Sequence, residues 1–185
     1  MNHFIALAPD ADTRDRLAAV ADRLRAWDLP ARWVHPDDYH LTVAFLGPLE
    51  AAELQGGLWA VNDVARSLFT PQLDLPGIGA FGGKHEPRVV YAAVGDPAGY
   101  CRDLHGDLQD CFGERPQPHY LPHITLCRPS GGRSGAEWRP LFEAFGQALW
   151  GSCAVDGLVL YRREPHGPCC YQEVETWTLD ERLAG

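Results

Sequence analysis

An internal repeat constrains the fold of this chain more than any other feature. In the first copy, an apolar strand at residues 4–8 is followed by a helical pattern and then by HLTV, which begins at His40. In the second copy, a strand at residues 89–94 is followed by a helical pattern and then by HITL, which begins at His123. A strand, a helix and a second strand, twice in succession, indicate two similar lobes that face each other.

The spacing of apolar residues predicts an α+β fold for both lobes. Long helices are expected where apolar residues recur at helical intervals, the first starting at caps Asp10 and Asp12 and running through Trp27 to a stop at Pro30. Several strands are joined by short turns, which favours mostly antiparallel sheets around a central cleft. Because no low-complexity linker interrupts the chain, we expect residues 1–185 to form a single domain of two intertwined lobes, and a monomer.

Charge and composition exclude several classes of protein. The chain has 25 acidic and 16 basic residues and a net charge of −9, which argues against binding along a nucleic-acid duplex but not against recognition of one phosphate or one RNA end. No apolar run approaches the roughly 18 residues that span a bilayer, and the start of the chain does not resemble a signal peptide, so we expect a cytoplasmic protein without a membrane partner. The six cysteines form no CxxC pair and are predicted to be buried thiols.

The repeated motifs carry the residues suited to chemistry. Because side chains alternate along a strand, His40 and Thr42 are expected on one face, about 7 Å apart, and His123 and Thr125 repeat the arrangement. One imidazole can accept a proton while the other donates one, and threonine hydroxyls can donate to phosphoryl oxygens. Arg128, at the end of the second motif strand, is placed to reach a phosphate or stack on a base.

The spacing of the histidines does not favour a metal site, and we expect no metal ion and no cofactor. His119 and His123 have HxxxH spacing, but Pro122 lies between them in an extended stretch, so they would not share a helix face as metal ligands. The remaining histidines are predicted to be surface or loop residues: His3, His35, His85, His105 and His166. A single His-x-Thr is usually just the polar face of a strand, and a duplication could preserve such a face without function. The two matched copies favour the functional interpretation.

The sequence resembles the 2H phosphoesterase superfamily, in particular the bacterial RNA 2′,3′-cyclic phosphodiesterases, which are also called 2′-5′ RNA ligase or LigT-like proteins. The similar segments are HFIALAP, RWVHPDDYHLTVAFLG, RVVYAAVG, PHITLCR and the closing LVLYRREPHGPCCYQEVETWTL. The double cysteine Cys169–Cys170 departs from the family pattern, and we expect no role for its thiols.

The resemblance implies hydrolysis of RNA 2′,3′-cyclic phosphate ends to 2′-phosphates without a metal. It implies that His123 activates water, that His40 protonates the departing oxygen, and that Thr42 and Thr125 hold the phosphate. Arg128 and Phe45 are then expected to contact the terminal nucleotide, and Tyr171 is a further aromatic candidate for substrate binding near the cleft that could equally be a core residue. Strand alternation puts Phe45 on the wrong face for this role unless the strand bends or bulges near Gly47.

Two alternatives use the same residues. Joining of RNA ends through a 2′-5′ linkage could occur at the same site, so the substrate, not the residues, separates it from hydrolysis. A protein that binds RNA or nucleotide phosphate termini without turnover is the other alternative, but arginine or lysine would serve a pure binder as well as two histidines.

Overall fold

The computed structural model describes residues 2–82, 86–112, 119–130, 137–164 and 169–180. The strands are β1 (Asn2–Pro9), β2 (Ala31–Trp33), β3 (Leu41–Pro48), β4 (Ile78–Phe81), β5 (Val89–Ala93), β6 (His123–Pro129), β7 (Val155–Arg163) and β8 (Tyr171–Thr178). The helices are α1 (Ala11–Arg25), α2 (Ala51–Ala65), α3 (Tyr100–Cys111) and α4 (Arg139–Phe145). The glycines and prolines of the sequence also predict turns at residues 82–87 and 165–168 and a loop at 129–135, and these segments lie wholly or partly outside the described residues.

The eight strands form one antiparallel sheet, which confirms the predicted α+β class. The order is β4-β5-β6-β3-β1-β7-β8, with β2 paired to the same β6. The half with β1, β3, β7 and β8 joins the half with β2, β4, β5 and β6 at a single register pair, Leu41 opposite Ile124. The sheets expected for two lobes are therefore continuous, and β3 and β6 diverge on either side of that pair.

The two faces of the sheet differ. Alternate strand residues such as Ile5, Leu41, Ile124 and Leu158 are fully buried in one core with the apolar residues of all four helices. Each such residue stabilises the fold by about 1.5–3 kcal/mol relative to exposure. The intervening residues point the other way, where Phe4, Ala6, Val159 and Tyr161 form a small separate cluster. We call this second side, which the helices do not cover, the open face.

The first helix begins as predicted but ends earlier. The Asp10 carboxylate caps it by accepting the Thr13 amide at 2.8 Å. It ends at Arg25 because Asp28 adopts a left-handed conformation, with φ of 53°, before Pro30 is reached. Trp27, expected on the buried face, is outside the helix and 40% exposed.

The cysteines are free, and only part of the expectation about them is right. Cys101, Cys127 and Cys153 are buried, whereas Cys169 is half-buried and Cys170 exposed. Within the described ranges, no helix combines the length and apolar character needed to cross a membrane.

Candidate active site

The sheet register brings the two His-x-Thr motifs to one face. Leu41 and Ile124 lie opposite each other and both point into the helix-covered core. Their neighbours along each strand therefore project from the open face, at the point where the two halves of the sheet meet. These neighbours are the four motif residues His40, Thr42, His123 and Thr125.

His40 is held in a defined orientation and tautomer. Its Nδ1–H donates to the Asp38 carbonyl oxygen at 2.7 Å, which leaves the Nε2 atom of the neutral ring as the proton acceptor. Its ring packs 4.7 Å from the ring centroid of Phe4, 5.8 Å from that of Tyr161 and 5.0 Å from that of Tyr171. The structure therefore places Tyr171 beside the first histidine.

His123 repeats this arrangement in the other half of the sheet. Its Nδ1–H donates to the Leu121 carbonyl oxygen at 2.7 Å, again two residues earlier in the chain. Its ring lies 4.8 Å from Phe81, edge-on, and 5.2 Å from Tyr91. Both imidazoles therefore keep Nε2 for exchange of a proton.

Burial sets the protonation state of both rings. It lowers the pKa of His40 to about 4, and the positive charges of His123 and Arg128 add to this effect. Burial and the charge of Arg128 also lower the pKa of His123. Both rings are neutral at neutral pH in the empty site, and a bound anion would favour protonation of one of them.

A β-bulge in β3 turns Phe45 to the open face. Val43 is an extra residue, because its two neighbours in β3 lie opposite consecutive residues of β1. Phe45 consequently pairs with Phe4, with ring centroids 6.0 Å apart, and is 52% exposed. The register also breaks at Leu46, next to Gly47 where the sequence located a bulge, but the break that puts Phe45 on the face of His40 is the one at Val43.

A second bulge in β6 does the same for Arg128. Leu126 is skipped in the register with β5 and is buried together with Cys127, so Arg128 returns to the open face. Leu126 is related to Val43, and Arg128 to Phe45, by the same offset that relates His123 to His40. The charge of Arg128 acts on the pKa values of both histidines and of Tyr171, which indicates that it lies beside the site.

Sequence reasoning missed three residues around the site. Arg32, exposed on β2, lies directly opposite Arg128 and therefore shares its face. His105, predicted at the surface, is 9% exposed and donates from Nδ1 to the Val43 carbonyl oxygen at 2.6 Å. Tyr120 stacks on the His105 ring at 4.3 Å and donates to the Thr42 carbonyl oxygen at 3.3 Å. The last two occupy backbone carbonyls of β3 where it separates from β6.

The pattern of α3 contained the signal for His105. Positions 101, 104 and 108 are apolar and buried, and position 105 lies on the same helix face at i, i+3, i+4, i+7 spacing. His3, also predicted at the surface, is 8% exposed because β1 is a central strand of the sheet. His35 is exposed, as predicted, His119 is also exposed, and His85 and His166 lie outside the described residues.

Comparison with known proteins identifies relatives of the whole chain. The family model described as LigT like phosphoesterase matches residues 7–91, which include His40 and Thr42. An RNA 2′,3′-cyclic phosphodiesterase of Methanothermobacter thermautotrophicus is 29% identical, over 95% of this chain and 97% of its own length. A protein of the same name from Aeropyrum pernix is 28% identical, over 78% of this chain and 84% of its own length.

Solved structures share the fold over almost its entire length. The protein TT0787 of Thermus thermophilus superposes with a TM-score of 0.78 and 25% identity, covering 99% of this chain and 100% of that one. E. coli LigT, in a crystal structure with ATP, gives a TM-score of 0.67 at 22% identity and covers 97% of this chain and 98% of that one. The second likeness is one of fold.

Proposed function

We propose that this chain, which is similar to the LigT-like phosphoesterases over residues 7–91 and to RNA 2′,3′-cyclic phosphodiesterases along most of its length, is a 2H phosphoesterase that hydrolyses RNA 2′,3′-cyclic phosphate ends to 2′-phosphates. The observation that carries the proposal is the pair of tethered imidazoles on one open face. Each is fixed through Nδ1 to the carbonyl oxygen two residues earlier, so each leaves Nε2 available as the proton acceptor of the neutral ring. The names of the relatives supply the substrate class.

The proposed reaction is a displacement at phosphorus by water. In the assignment implied by the resemblance, His123 Nε2 takes a proton as the water oxygen forms a bond to phosphorus. The bond from phosphorus to the 3′ oxygen breaks, and protonated His40 gives its Nε2 proton to that oxygen. The product carries a 2′-phosphate and a 3′-hydroxyl, and the step leaves His40 neutral and His123 protonated. Each such transfer contributes about 10²–10⁴ in rate.

Thr42, Thr125 and Arg128 are proposed to stabilise the charge that develops on the phosphoryl oxygens. The two hydroxyls lie on the face of the histidines, and a guanidinium can donate two hydrogen bonds to a phosphate. Phe45 is exposed at the equivalent position of the other half and is proposed to stack on the terminal base. Tyr171 is proposed to form the wall that packs against His40.

We propose that the reaction requires no metal ion. A protonated imidazole and Arg128 together supply the positive charge that a metal would supply at the phosphoryl group. We also propose that the protein is a single-domain monomer in the cytoplasm, because six free cysteines suit a reducing compartment.

The experiment is an assay with a short oligoribonucleotide that ends in a 2′,3′-cyclic phosphate, with the phosphate position of the product read by NMR. We expect a 2′-phosphate product, turnover that is unchanged by EDTA, and at least about 10²-fold slower turnover in both His40→Ala and His123→Ala. His119→Ala is the matched control, because that histidine is exposed and outside the motifs. Near-normal hydrolysis by either motif variant, or loss of turnover in EDTA, contradicts the proposal.

A further inference from the structure

A second cluster of reactive side chains lies on the surface, next to the segment that leads into the His40 motif. His35 and Asp37 come from the segment that precedes β3, and Cys169 comes from the segment that precedes β8. Within the described part of the chain, this is the group of three side chains that could hold a metal ion together. None of the three takes part in the reaction proposed above.

The three ligand atoms form a triangle of the size that a metal ion requires. His35 Nδ1 is 3.4 Å from the Asp37 carboxylate oxygen Oδ2 and 3.6 Å from Cys169 Sγ, and the third side, Sγ to Oδ2, is 3.9 Å. Zn²⁺ bonds of about 2.0 Å to nitrogen and oxygen and 2.3 Å to sulfur, at tetrahedral angles, place such atoms about 3.3–3.5 Å apart. A contraction of a few tenths of an ångström brings all three onto one ion.

The chemistry of the cluster also fits a zinc-like cation. His35 Nδ1 accepts a long hydrogen bond of 3.3 Å from the Asp37 amide, an interaction that a bound ion would replace. The His35 and Asp37 side chains are 45% and 71% exposed, so an ion can enter from solvent and keep a water at its fourth position.

The cluster is connected to the first motif through buried groups. The Cys170 amide donates to both carboxylate oxygens of Asp38, at 2.9 and 3.0 Å, and Asp38 is 5% exposed. The Asp38 carbonyl oxygen in turn accepts the His40 Nδ1–H. An ion on the neighbouring residues 35, 37 and 169 would join the two segments on either side of this contact.

We propose that His35, Asp37 and Cys169 form a binding site for a soft divalent cation of the zinc type, with an open fourth position. The bound ion clamps the segment before β8 onto the segment that orients His40. The site is structural, and the reaction at the open face proceeds without it.

Cobalt(II) alone, titrated into the full-length reduced protein, tests the site directly. Cobalt bound by a thiolate gives a charge-transfer band in the near ultraviolet that cobalt bound only by histidine and carboxylate lacks. We expect one equivalent to produce this band and zinc to displace it. Cys169→Ser should abolish the band, and His35→Ala should weaken cobalt binding at least tenfold. Cys170→Ser is the matched control, since the adjacent thiol is outside the triangle, and it should keep the band.

Thermal unfolding with zinc alone tests the clamp. An ion that binds only the folded state raises the unfolding temperature in a saturable way, so zinc should raise it in the wild-type protein and in Cys170→Ser but not in Cys169→Ser. The proposal is overturned if no thiolate band forms, or if Cys169→Ser keeps it. It is also overturned if replacing both His40 and His123 by Asn removes the binding, because the ion would then occupy the open face. None of these readouts depends on hydrolysis, so the proposed reaction and the metal site fail separately.

Discussion

The two halves of the candidate site share a backbone plan and differ in the side chains that the plan presents. Around His40, three aromatic rings enclose the imidazole, and the bulge at Val43 presents an exposed phenyl ring, that of Phe45. Around His123, two aromatic rings flank the imidazole, and the bulge in β6 presents a guanidinium. Both histidines use the same Nδ1 bond to the carbonyl oxygen two residues before.

The two halves therefore share the placement of their histidines and differ in the chemistry that surrounds each ring. Strand register, bulge and tautomer are backbone properties, so both copies can keep them while side chains change. Burial lowers the pKa of His40, the more enclosed ring, to about 4. Burial and the charge of Arg128 lower the pKa of His123 in the other half. The half with His40 thus offers an apolar surface on which a nucleobase can stack, and the half with His123 offers positive charge suited to a phosphate.

The largest expected effect distinguishes the acid from the base. His40→Asn and His123→Asn should each slow hydrolysis of the cyclic phosphate by at least about 10²-fold. With bis(p-nitrophenyl) phosphate, whose leaving group needs no proton, His40→Asn should recover to within about tenfold of wild type, whereas His123→Asn should stay slow. Burial lowers the pKa of His40 to about 4 in the empty site, so this assignment requires the bound phosphate to raise that pKa, and recovery by His123→Asn instead would reverse the two roles.

The second effect separates Arg128 from Phe45, the two side chains that the bulges turn to the open face. Arg128→Ala should lower kcat/KM by about 10²-fold for every cyclic substrate, because charged hydrogen bonds to the phosphate are lost. Phe45→Ala should raise KM by about tenfold, and only for substrates that carry a base. Steady-state kinetics on nucleoside cyclic phosphates and on ribose 2,3-cyclic phosphate measure both, with Arg102→Ala on α3 as the control. Equal losses of kcat/KM in Arg128→Ala and Phe45→Ala on the base-free substrate would refute the different roles assigned to these residues.

A smaller effect concerns Arg32, the neighbour of Arg128 on the open face. Its position beyond Arg128 suits a phosphate of a longer RNA chain and not the terminal one. Arg32→Ala should therefore raise KM several-fold for an oligonucleotide at low salt and leave a mononucleoside cyclic phosphate unaffected. A loss that is the same for both lengths would place Arg32 at the reacting phosphate instead.

The smallest effect is a displacement of the pH profile. The base must be neutral and the acid protonated, and both histidine pKa values lie below the ordinary 6.5, so the bell-shaped kcat/KM profile should peak below pH 6.5. A bound anion raises both pKa values, so the kcat profile should lie at higher pH. Arg128→Ala removes a charge that lowers both pKa values and should move the kcat/KM profile upward, whereas Phe45→Ala should not. A peak above pH 7 in the wild-type profile argues against the buried pair.

The sequence was sufficient for what depends on local periodicity. Strand alternation predicts His40 with Thr42, and His123 with Thr125, on one face, and the structure places them so. The bulges depend on pairing with β1 and β5, which are distant in the chain, and no local pattern determines where a register breaks. Strand alternation alone therefore put Phe45 on the wrong face.

Partners contributed by other segments were also outside the reach of local patterns. The pairing of Arg32 with Arg128 and the bond from His105 to Val43 join residues far apart in sequence. Cys169 received no predicted role because its neighbours His35 and Asp37 precede it by most of the chain. Charge and composition bounded the class of ligand but could not report these contacts.

Single-turnover hydrolysis of an oligoribonucleotide 2′,3′-cyclic phosphate by His40→Asn, His123→Asn and the double variant tests the central claim most directly. Groups that serve one transition state are not additive, so the double variant should be about as slow as the slower single variant. Losses that multiply in the double variant, or a single variant close to the wild-type rate, would contradict a shared site built from both histidines.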